Sequence, residues 1–218
     1  MAALYPSLIA ADQLNLEREM RLLEPHCQGF HLDVMDNHFV PNLTWGPLMV
    51  NALARATTSR IWVHLMVDDP LALLSVLELP AESLVSFHIE STKKIEAIID
   101  SIKEKKWHPS LAISPKTDPT RTFPFLHSIH QIVVMSVEPG FSGQEFIPTS
   151  FERIDLFARK RATENMTFTI GVDGGVNATN IDRLVNVGCD DIVLGAALFK
   201  SHDPVAALRT LQAHIAGT

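Results

Sequence analysis

Four side chains in this sequence could share one metal ion. His31 and Asp33 lie in one apolar segment, His64 lies in a second, and Asp173 ends a third. Because side chains on a strand alternate between its two faces, His31 and Asp33 project to the same side. Mixed nitrogen and oxygen ligands suit Zn2+, Fe2+, Mn2+ or Co2+. The sequence therefore predicts a site for one divalent metal ion, formed by His31, Asp33, His64 and Asp173.

Asp33 and Asp173 could also transfer protons, although either one alone could simply cap a loop. A carboxylate with a pKa near 3.9 is mismatched by about 14 units, or roughly 19 kcal/mol, with a carbon acid beside a carbonyl group. A metal ion must therefore accept charge from the substrate's oxygen atoms as the proton leaves. If one aspartate removes a proton from one face and the other delivers one to the opposite face, the stereocentre inverts. The pair thus predicts epimerisation.

Three glycine turns are predicted to bind a phosphate group. They follow three consecutive apolar segments and comprise Gly140, Phe141, Ser142 and Gly143, then Gly174 and Gly175, and finally Gly195 and Ala196. Glycine lets the backbone approach an anion closely, and backbone N–H groups can then bind it. Any one of these could be an ordinary tight turn, but their clustering on neighbouring strands favours a phosphate site.

Ser7 and three methionines complete the predicted substrate site. Met35, Met66 and Met135 lie near the ends of apolar segments, on or beside the faces that carry the proposed ligands. Methionine in such positions is most often core filling, and a soft wall beside the substrate is the alternative. Ser7 could hydrogen-bond the substrate or end its strand. His88 could support the metal ligands or be a core residue.

Apolar segments alternate with amphipathic ones along the whole chain. Strands are predicted at residues 4–9, 29–35, 60–67, 84–89, 110–114, 132–137, 168–172 and 191–194. Helices are predicted at residues 14–23, 47–56, 70–79, 93–105, 120–126, 150–163, 178–187 and 204–215. This order favours an α/β fold, a (β/α)8 TIM barrel with one domain over residues 1–218. A doubly wound open sheet is the main rival, but the first predicted turn contains no glycine.

The composition narrows the classes of partner. The 218-residue chain has 18 basic and 25 acidic residues, a net charge of −7, which favours neither nucleic acid nor an anionic membrane surface. No apolar run approaches the roughly 18 residues of a spanning helix. The first residues lack a signal-peptide pattern, and Cys27 and Cys189 lack disulfide spacing. We therefore expect a cytoplasmic protein that binds a small molecule.

Several motifs resemble those of the ribulose-phosphate 3-epimerase family. They are PSL at residues 6–8, HLDVMD at 31–36, HFVPN at 38–42, VHLMV at 63–67, MSVEPGF at 135–141, GQ at 143–144, FIP at 146–148 and VDGG at 172–175. The likeness covers nearly the whole chain in order and spacing. The combination is specific, although no single motif would be.

The resemblance implies a barrel of the ribulose-phosphate-binding type that interconverts D-ribulose 5-phosphate and D-xylulose 5-phosphate. It implies a metal-bound enediolate, with Asp33 as proton acceptor and Asp173 as proton donor. Ser7 and His64 would contact the substrate, the methionines would line the enediolate, and the glycine turns would bind the phosphate. The resemblance also implies a role in the pentose phosphate pathway and a homo-oligomer, either a dimer or a hexamer.

Some positions depart from the family pattern. Ser142 replaces a glycine, and Ala196 replaces a serine whose hydrogen bond to phosphate is worth roughly 1.5–3 kcal/mol. Asn37 replaces a glycine, and asparagine tolerates left-handed backbone geometry. These changes keep two alternatives open: an epimerase of another ketose phosphate, such as D-allulose 6-phosphate, and a non-catalytic barrel that binds a sugar phosphate.

Overall fold

Parallel strands form the centre of the molecule. The computed structural model describes residues 2–216, and within that range eight strands lie in the order β1-β8-β7-β6-β5-β4-β3-β2. They are β1 (Ala3–Pro6), β2 (Gly29–Met35), β3 (Arg60–Met66), β4 (Leu84–His88), β5 (His108–Ile113), β6 (Gln131–Met135), β7 (Thr169–Asp173) and β8 (Asp191–Leu194). A parallel bridge between Ser7 and His31 joins the two ends of the sheet, so the strands form a nearly closed barrel. The predicted (β/α)8 barrel is confirmed.

Helices surround the sheet and connect its strands. The α-helices are α1 (Leu16–Leu23), α2 (Pro47–Arg55), α3 (Pro70–Leu74), α4 (Ile95–Glu104), α5 (Ser150–Thr163), α6 (Ile181–Asn186), α7 (Ala196–Phe199) and α8 (Pro204–Ala216). Proline begins α2, α3 and α8, where its missing N–H would have no partner inside the helix. Within residues 2–216, none of the helices has both the length and the apolar character needed to cross a membrane.

The short helix α7 was not predicted, and the bounds of most predicted elements shift by one to three residues. Three predicted elements differ more in length or type. β1 ends at Pro6 and is followed by a 3-10 turn at Leu8–Ala10, whereas the sequence predicts a strand over residues 4–9. α3 ends at Leu74 rather than at residue 79, with Ser75 as its C-cap, and the Ser75 hydroxyl donates to the Ala72 carbonyl in its last turn. The fifth unit has a 3-10 helix at Pro119–Phe125, because Pro124 lacks the N–H that an α-helix requires. The order of the eight units is unchanged.

Alternating side chains build two hydrophobic layers. On β6, Ile132 and Val134 belong to the large cluster between the sheet and the helices. Val133 and Met135 belong to a smaller cluster inside the barrel, together with Tyr5, Trp62, Leu84, Ala112 and Val193. A strand that is buried on both faces must be apolar throughout, which explains the unbroken apolar segments of the sequence.

A line of buried hydrogen bonds crosses the barrel interior. It begins at Trp62 on β3, two residues before the predicted metal ligand His64. Trp62 donates from Nε1 to Ser86 at 2.6 Å, and Ser86 donates to Ser110 at 2.8 Å. Ser110 donates to Gln131 at 2.7 Å, and Gln131 donates to Asp191 at 2.8 Å. Buried polar groups are stable when each has a partner, and here each one does.

Replacing Ser86 by alanine is expected to lower the free energy of unfolding by about 1–3 kcal/mol, because it leaves the buried Trp62 N–H without an acceptor. Urea unfolding measures this loss. Ser75→Ala removes a hydroxyl from an exposed position on α3's C-terminus, where it donates to the Ala72 carbonyl. We expect this control to cost less than about 0.5 kcal/mol. Equal stability of the two variants would show that the buried line contributes nothing.

Candidate metal centre and substrate pocket

The four predicted ligands converge at the C-terminal ends of β2, β3 and β7. Nδ1 of His64 lies 3.1 Å from Oδ2 of Asp173 and 3.7 Å from Oδ1 of Asp33. Nε2 of His31 lies 3.8 Å from Oδ2 of Asp173. One nitrogen or oxygen atom from each residue lies within 4.8 Å of the other three. The structure therefore brings together His31, Asp33, His64 and Asp173, here called the His2Asp2 cluster.

Strand register and neighbouring loops position the two aspartates. Asp33 on β2 is paired with His64 on β3. The Thr44 hydroxyl donates to the Asp33 carbonyl at 2.6 Å. The backbone N–H and the hydroxyl of Ser136 both donate to the Asp173 carbonyl, at 2.8 and 3.0 Å. Each carboxylate thus extends from a backbone segment that a neighbouring element holds in place.

The chemistry of the cluster fits a divalent cation. Among the described residues, Nε2 of His31 is one of few buried side-chain atoms without a hydrogen-bond partner. Ser7 donates to Oδ2 of Asp33 at 2.8 Å, but the opposite side of the cluster has two carboxylates facing imidazole nitrogen atoms. Buried carboxylates are costly without compensating positive charge. A cation bound by the His2Asp2 cluster would satisfy both the carboxylates and the unpaired nitrogen.

Burial and charge oppose each other at Asp33. Burial favours the protonated carboxyl group, but the neighbouring histidine rings and the Ser7 hydroxyl lower the pKa of Asp33 below its ordinary value of 3.8. Burial also disfavours a charged His31, but Asp33 and Asp173 raise the pKa of His31 above 6.5. Asp33 is therefore ionised at neutral pH and can accept a proton.

A pocket of about 280 Å3 opens beside the cluster. Asp33 and Asp173 line it, whereas His31 and His64 are completely buried and do not line it. The other predicted substrate residues line it as well: Ser7, Met35, Met66, Met135, Gly140, Phe141, Ser142, Gly143, Gly174, Gly175, Gly195 and Ala196. Every predicted substrate residue except His64 therefore lines this pocket. His64 contacts Asp33 and Asp173, which line it.

Sequence reasoning missed several residues of the pocket wall. They are Ile9, Val137, Pro139, Gln144, Val176, Asn177, Val193 and Ala197. Gln144 donates to the carbonyl groups of Glu138 and Phe141, at 2.7 and 2.8 Å, and so braces the loop after β6. Most of the missed residues lie next to the three glycine turns in the sequence. Their proximity to these turns is the sequence feature that could have identified them as pocket residues.

His88, whose role the sequence left open, contacts a predicted metal ligand. Its Nε2 lies 3.0 Å from Nε2 of His64, and its side chain is completely buried. Its Nδ1 lies 3.2 Å from Oε2 of Glu90. Although burial disfavours the ionised form, hydrogen bonds from His88 and other groups lower the pKa of Glu90 to about 2. Glu90 is an ionised acceptor at the outer end of this contact.

Known proteins match this chain along nearly its whole length. The model of the ribulose-phosphate 3 epimerase family matches residues 3–199. The chain belongs to the ribulose-phosphate 3-epimerase family. A ribulose-phosphate 3-epimerase of Schizosaccharomyces pombe is 36% identical, covering 97% of this chain and 92% of the relative. That of Escherichia coli strain K12 is 32% identical, covering 97% and 95%. The family and the enzyme class expected from the motifs, a carbohydrate epimerase, are confirmed.

Solved structures of other proteins share the barrel. The structure of KGPDC from Streptococcus mutans has a TM-score of 0.73 at 12% identity, covering 100% of this chain and 98% of that chain. Orotidine 5'-monophosphate decarboxylase from Sulfolobus solfataricus has a TM-score of 0.67 at 14% identity, covering 100% and 99%. At such low identity the likeness shows the fold alone.

Two polar groups lie at one end of the pocket, here called the glycine-turn end (residues 140–143, 174–175 and 195–196). A β-carbon on Gly195 would lie 3.2 Å from Oγ of Ser142, so this hydroxyl lies against the glycine. A β-carbon on Gly143 would lie 3.2 Å from Nζ of Lys200. Within residues 2–216, no lysine, arginine or histidine belongs to the pocket lining itself. Lys200 therefore places a positive charge beside a pocket wall that has none.

Proposed function

We propose that this protein is a ribulose-phosphate 3-epimerase that interconverts D-ribulose 5-phosphate and D-xylulose 5-phosphate. The position of Asp33 and Asp173 at the floor of one pocket, in one cluster with two imidazoles, carries the proposal. Paired carboxylates that share a binding site are the groups a two-base epimerisation requires. Relatives of this name cover nearly the whole chain, which supports the choice of substrate.

We infer that the His2Asp2 cluster holds one divalent ion, Zn2+, Fe2+, Mn2+ or Co2+. Nε2 of His31, Nδ1 of His64 and a carboxylate oxygen from each aspartate are the atoms that face one another there. When bound, such an ion supplies positive charge to the substrate's oxygen atoms as the proton at the neighbouring carbon is removed. The donor set does not choose among the four ions.

Asp33 and Asp173 transfer the proton at C3 in this proposal. The Asp33 carboxylate accepts the proton as the C3–H bond breaks, and a protonated Asp173 donates a proton to the opposite face as the new C3–H bond forms. The reaction leaves Asp33 protonated and Asp173 ionised, and the reverse reaction uses them in the opposite order. Ser7 donates to Oδ2 of Asp33 at 2.8 Å and so orients the base.

Three methionines supply the apolar wall beside the reacting carbon. Met35, Met66 and Met135 are all buried and all line the pocket. A thioether has no acidic proton and only weak acceptor capacity, so it offers no competing proton to the substrate. These side chains make the part of the pocket wall that they form apolar.

The glycine-turn end binds the phosphate group in this proposal. Gly174 and Gly175 have φ angles of 113° and 66°, which favour glycine and turn the backbone at the pocket wall. The Ser142 hydroxyl supplies the donor that Ala196 lacks, and Lys200 supplies a positive charge. Hydrogen bonds between a charged acceptor and such donors are about twice as strong as neutral ones.

The proposal also covers domain organisation, assembly and location in the cell. Residues 1–218 form one domain, and copies associate as a homo-oligomer, a dimer or a hexamer, that acts in the cytoplasm in the pentose phosphate pathway. The highly exposed side chains of Leu14, Leu43 and Leu48 offer apolar surface for association. A 32% identical relative from Oryza sativa, named as a cytoplasmic isoform, supports the compartment.

Removal of the metal ion is expected to abolish epimerisation. Protein stripped by a chelator should lose turnover of D-ribulose 5-phosphate by about a thousandfold or more, because several kcal/mol of charge stabilisation depends on the ion. Adding Zn2+, Fe2+, Mn2+ or Co2+ separately should restore it to different extents. A coupled assay for D-xylulose 5-phosphate measures the rate, and metal analysis of the same sample measures occupancy.

A parallel assay with D-allulose 6-phosphate, which measures its C3 epimer D-fructose 6-phosphate, tests the second candidate function. Ser142 and Ala196 keep that alternative open, because both depart from the family pattern at the end of the pocket proposed to bind the phosphate. Turnover of the hexulose phosphate alone would identify an epimerase of that substrate. Full metal occupancy without turnover of any ketose phosphate would contradict the proposal and favour the non-catalytic alternative.

A further inference from the structure

His88 and Glu90 lie behind the His2Asp2 cluster, and the proposed mechanism does not use them. His88 ends β4, and Glu90 follows two residues later. His88 contacts His64 through Nε2 at 3.0 Å and Glu90 through Nδ1 at 3.2 Å. These side chains form a continuous hydrogen-bonded line into the cluster, here called the Glu90–His88–His64 relay.

The direction of donation in the relay follows from Glu90. Its Oε1 accepts from the backbone N–H of Ser114 at 2.9 Å, and a carboxylate offers acceptors only. The proton between Glu90 and His88 therefore belongs to Nδ1 of His88. A neutral His88 then has an electron pair at Nε2, so this atom accepts a hydrogen bond.

The same reasoning assigns the proton on His64. Because Nε2 of His88 accepts, Nε2 of His64 must carry the proton that joins them. A neutral His64 then presents an unprotonated Nδ1 to the oxygen atoms of Asp173 and Asp33, at 3.1 and 3.7 Å. An electron pair that faces two carboxylates is repelled by both, unless a cation lies among them.

We propose that Glu90 and His88 are positioning residues that hold His64 in the tautomer able to bind a divalent cation through Nδ1. This inference rests on the proposed function, because it requires such a cation in the His2Asp2 cluster. It deepens that function by assigning part of the cluster's cation affinity to two residues that touch neither the cation nor the substrate. Partners of this kind orient a ligating ring and raise its basicity.

Packing alone does not require a histidine at this position. The His88 ring lies between the rings of Phe39 and His64, with centroid distances of 4.8 and 5.0 Å. Phenylalanine at position 88 would keep an aromatic ring beside Phe39 and His64 but offer no acceptor to His64. Glutamine would place an amide oxygen near the position of Nε2 and keep the acceptor. The two variants therefore separate hydrogen bonding from packing.

Zn2+ affinity tests the relay. Competition of the metal-stripped full chain with a chromogenic chelator is expected to show about 10- to 100-fold weaker binding for His88→Phe, and binding near wild type for His88→Gln. Glu90→Gln should weaken binding by a similar factor. Its amide oxygen must face the Ser114 N–H, so its NH2 group faces His88 and reverses the order of donation. Glu104→Gln removes the same charge from an exposed position of α4 and should leave the affinity unchanged.

Nitrogen-15 NMR of the histidine rings provides a readout that is independent of activity. In the Zn2+-loaded wild type, Nε2 of His64 and Nδ1 of His88 are expected to carry the protons. In Glu90→Gln, the proton of His88 should move to Nε2. A role in packing alone would leave the proton positions unchanged in that variant and would contradict the relay.

The possible failures are distinguishable. Equal Zn2+ affinity of the wild type, His88→Phe and Glu90→Gln would overturn the relay but leave the proposed function intact, provided that the wild type binds Zn2+ and epimerises. A wild type that binds no Zn2+ would contradict the proposed function itself. If His88→Phe does not fold, the comparison of Glu90→Gln with Glu104→Gln decides the matter alone.

Discussion

Replacing Asp173 by asparagine is expected to lower the turnover of D-ribulose 5-phosphate by roughly a thousandfold or more. Asparagine keeps the size of the side chain but cannot ionise or deliver a proton at neutral pH. It also removes a carboxylate whose Oδ2 lies 3.1 Å from Nδ1 of His64, so the cluster loses an anionic ligand. Because proton donation and cation binding fail together, this is the largest effect we expect from one substitution.

Turnover, metal content and urea unfolding of the same preparation check this expectation. The variant should remain folded, since Ser136 holds residue 173 through its backbone carbonyl. Asp155→Asn changes a half-exposed carboxylate on α5 that pairs with Arg159, and this control should keep full activity. An Asp173→Asn protein with more than a tenth of wild-type turnover would contradict the role of Asp173 as proton donor.

Gly175→Ala is expected to lower the free energy of unfolding by about 2 kcal/mol or more. A β-carbon there would lie 2.6 and 2.7 Å from the backbone N and Cα atoms of Phe146, and Gly175 has a φ of +66°. Backbone atoms cannot rotate away as a side chain can, so the turn after β7 must separate from the loop after β6. These segments form two sides of the glycine-turn end, so KM should rise by about tenfold or more.

Gly46→Ala is the matched control for this substitution. Gly46 has a φ of −89°, and within residues 2–216 a β-carbon on it would meet no atom within 4 Å. Because Gly46 is the N-cap of α2 and alanine is a poorer N-cap than glycine, we expect a loss of no more than about 1 kcal/mol in the free energy of unfolding, with an unchanged KM. A Gly175→Ala protein with wild-type stability and KM would contradict the assignment of the glycine-turn end to the phosphate.

The His2Asp2 cluster could be predicted from the sequence because the relevant geometry is regular. Alternation along a strand places His31 and Asp33 on one face, and a barrel brings the C-terminal ends of all its strands to one rim. The pairing of Asp33 with His64 in neighbouring strands follows from that architecture. The polar side chains at these strand ends were thus visible as exceptions in otherwise apolar segments.

The contacts of His88 and Lys200 could not be predicted in this way. The sequence places His88 at the end of β4, but its hydrogen bond to His64 depends on the rotation of both rings. Lys200 approaches Gly143 through a long, flexible side chain, and no periodicity indicates where such a chain ends. The 3-10 geometry of the fifth helix was likewise not predicted, although Pro124, which lacks the N–H that an α-helix requires, lies within it.

Incorporation of solvent deuterium at C3 tests the central claim most directly. Metal-loaded wild-type protein in D2O should convert D-ribulose 5-phosphate into D-xylulose 5-phosphate that carries deuterium at C3. The reason is that the delivered proton comes from Asp173, which exchanges with solvent, and not from the substrate. Product without deuterium at C3 would contradict proton transfer by two aspartates. No exchange with any ketose phosphate, despite a fully occupied metal site, would contradict the assignment as an epimerase.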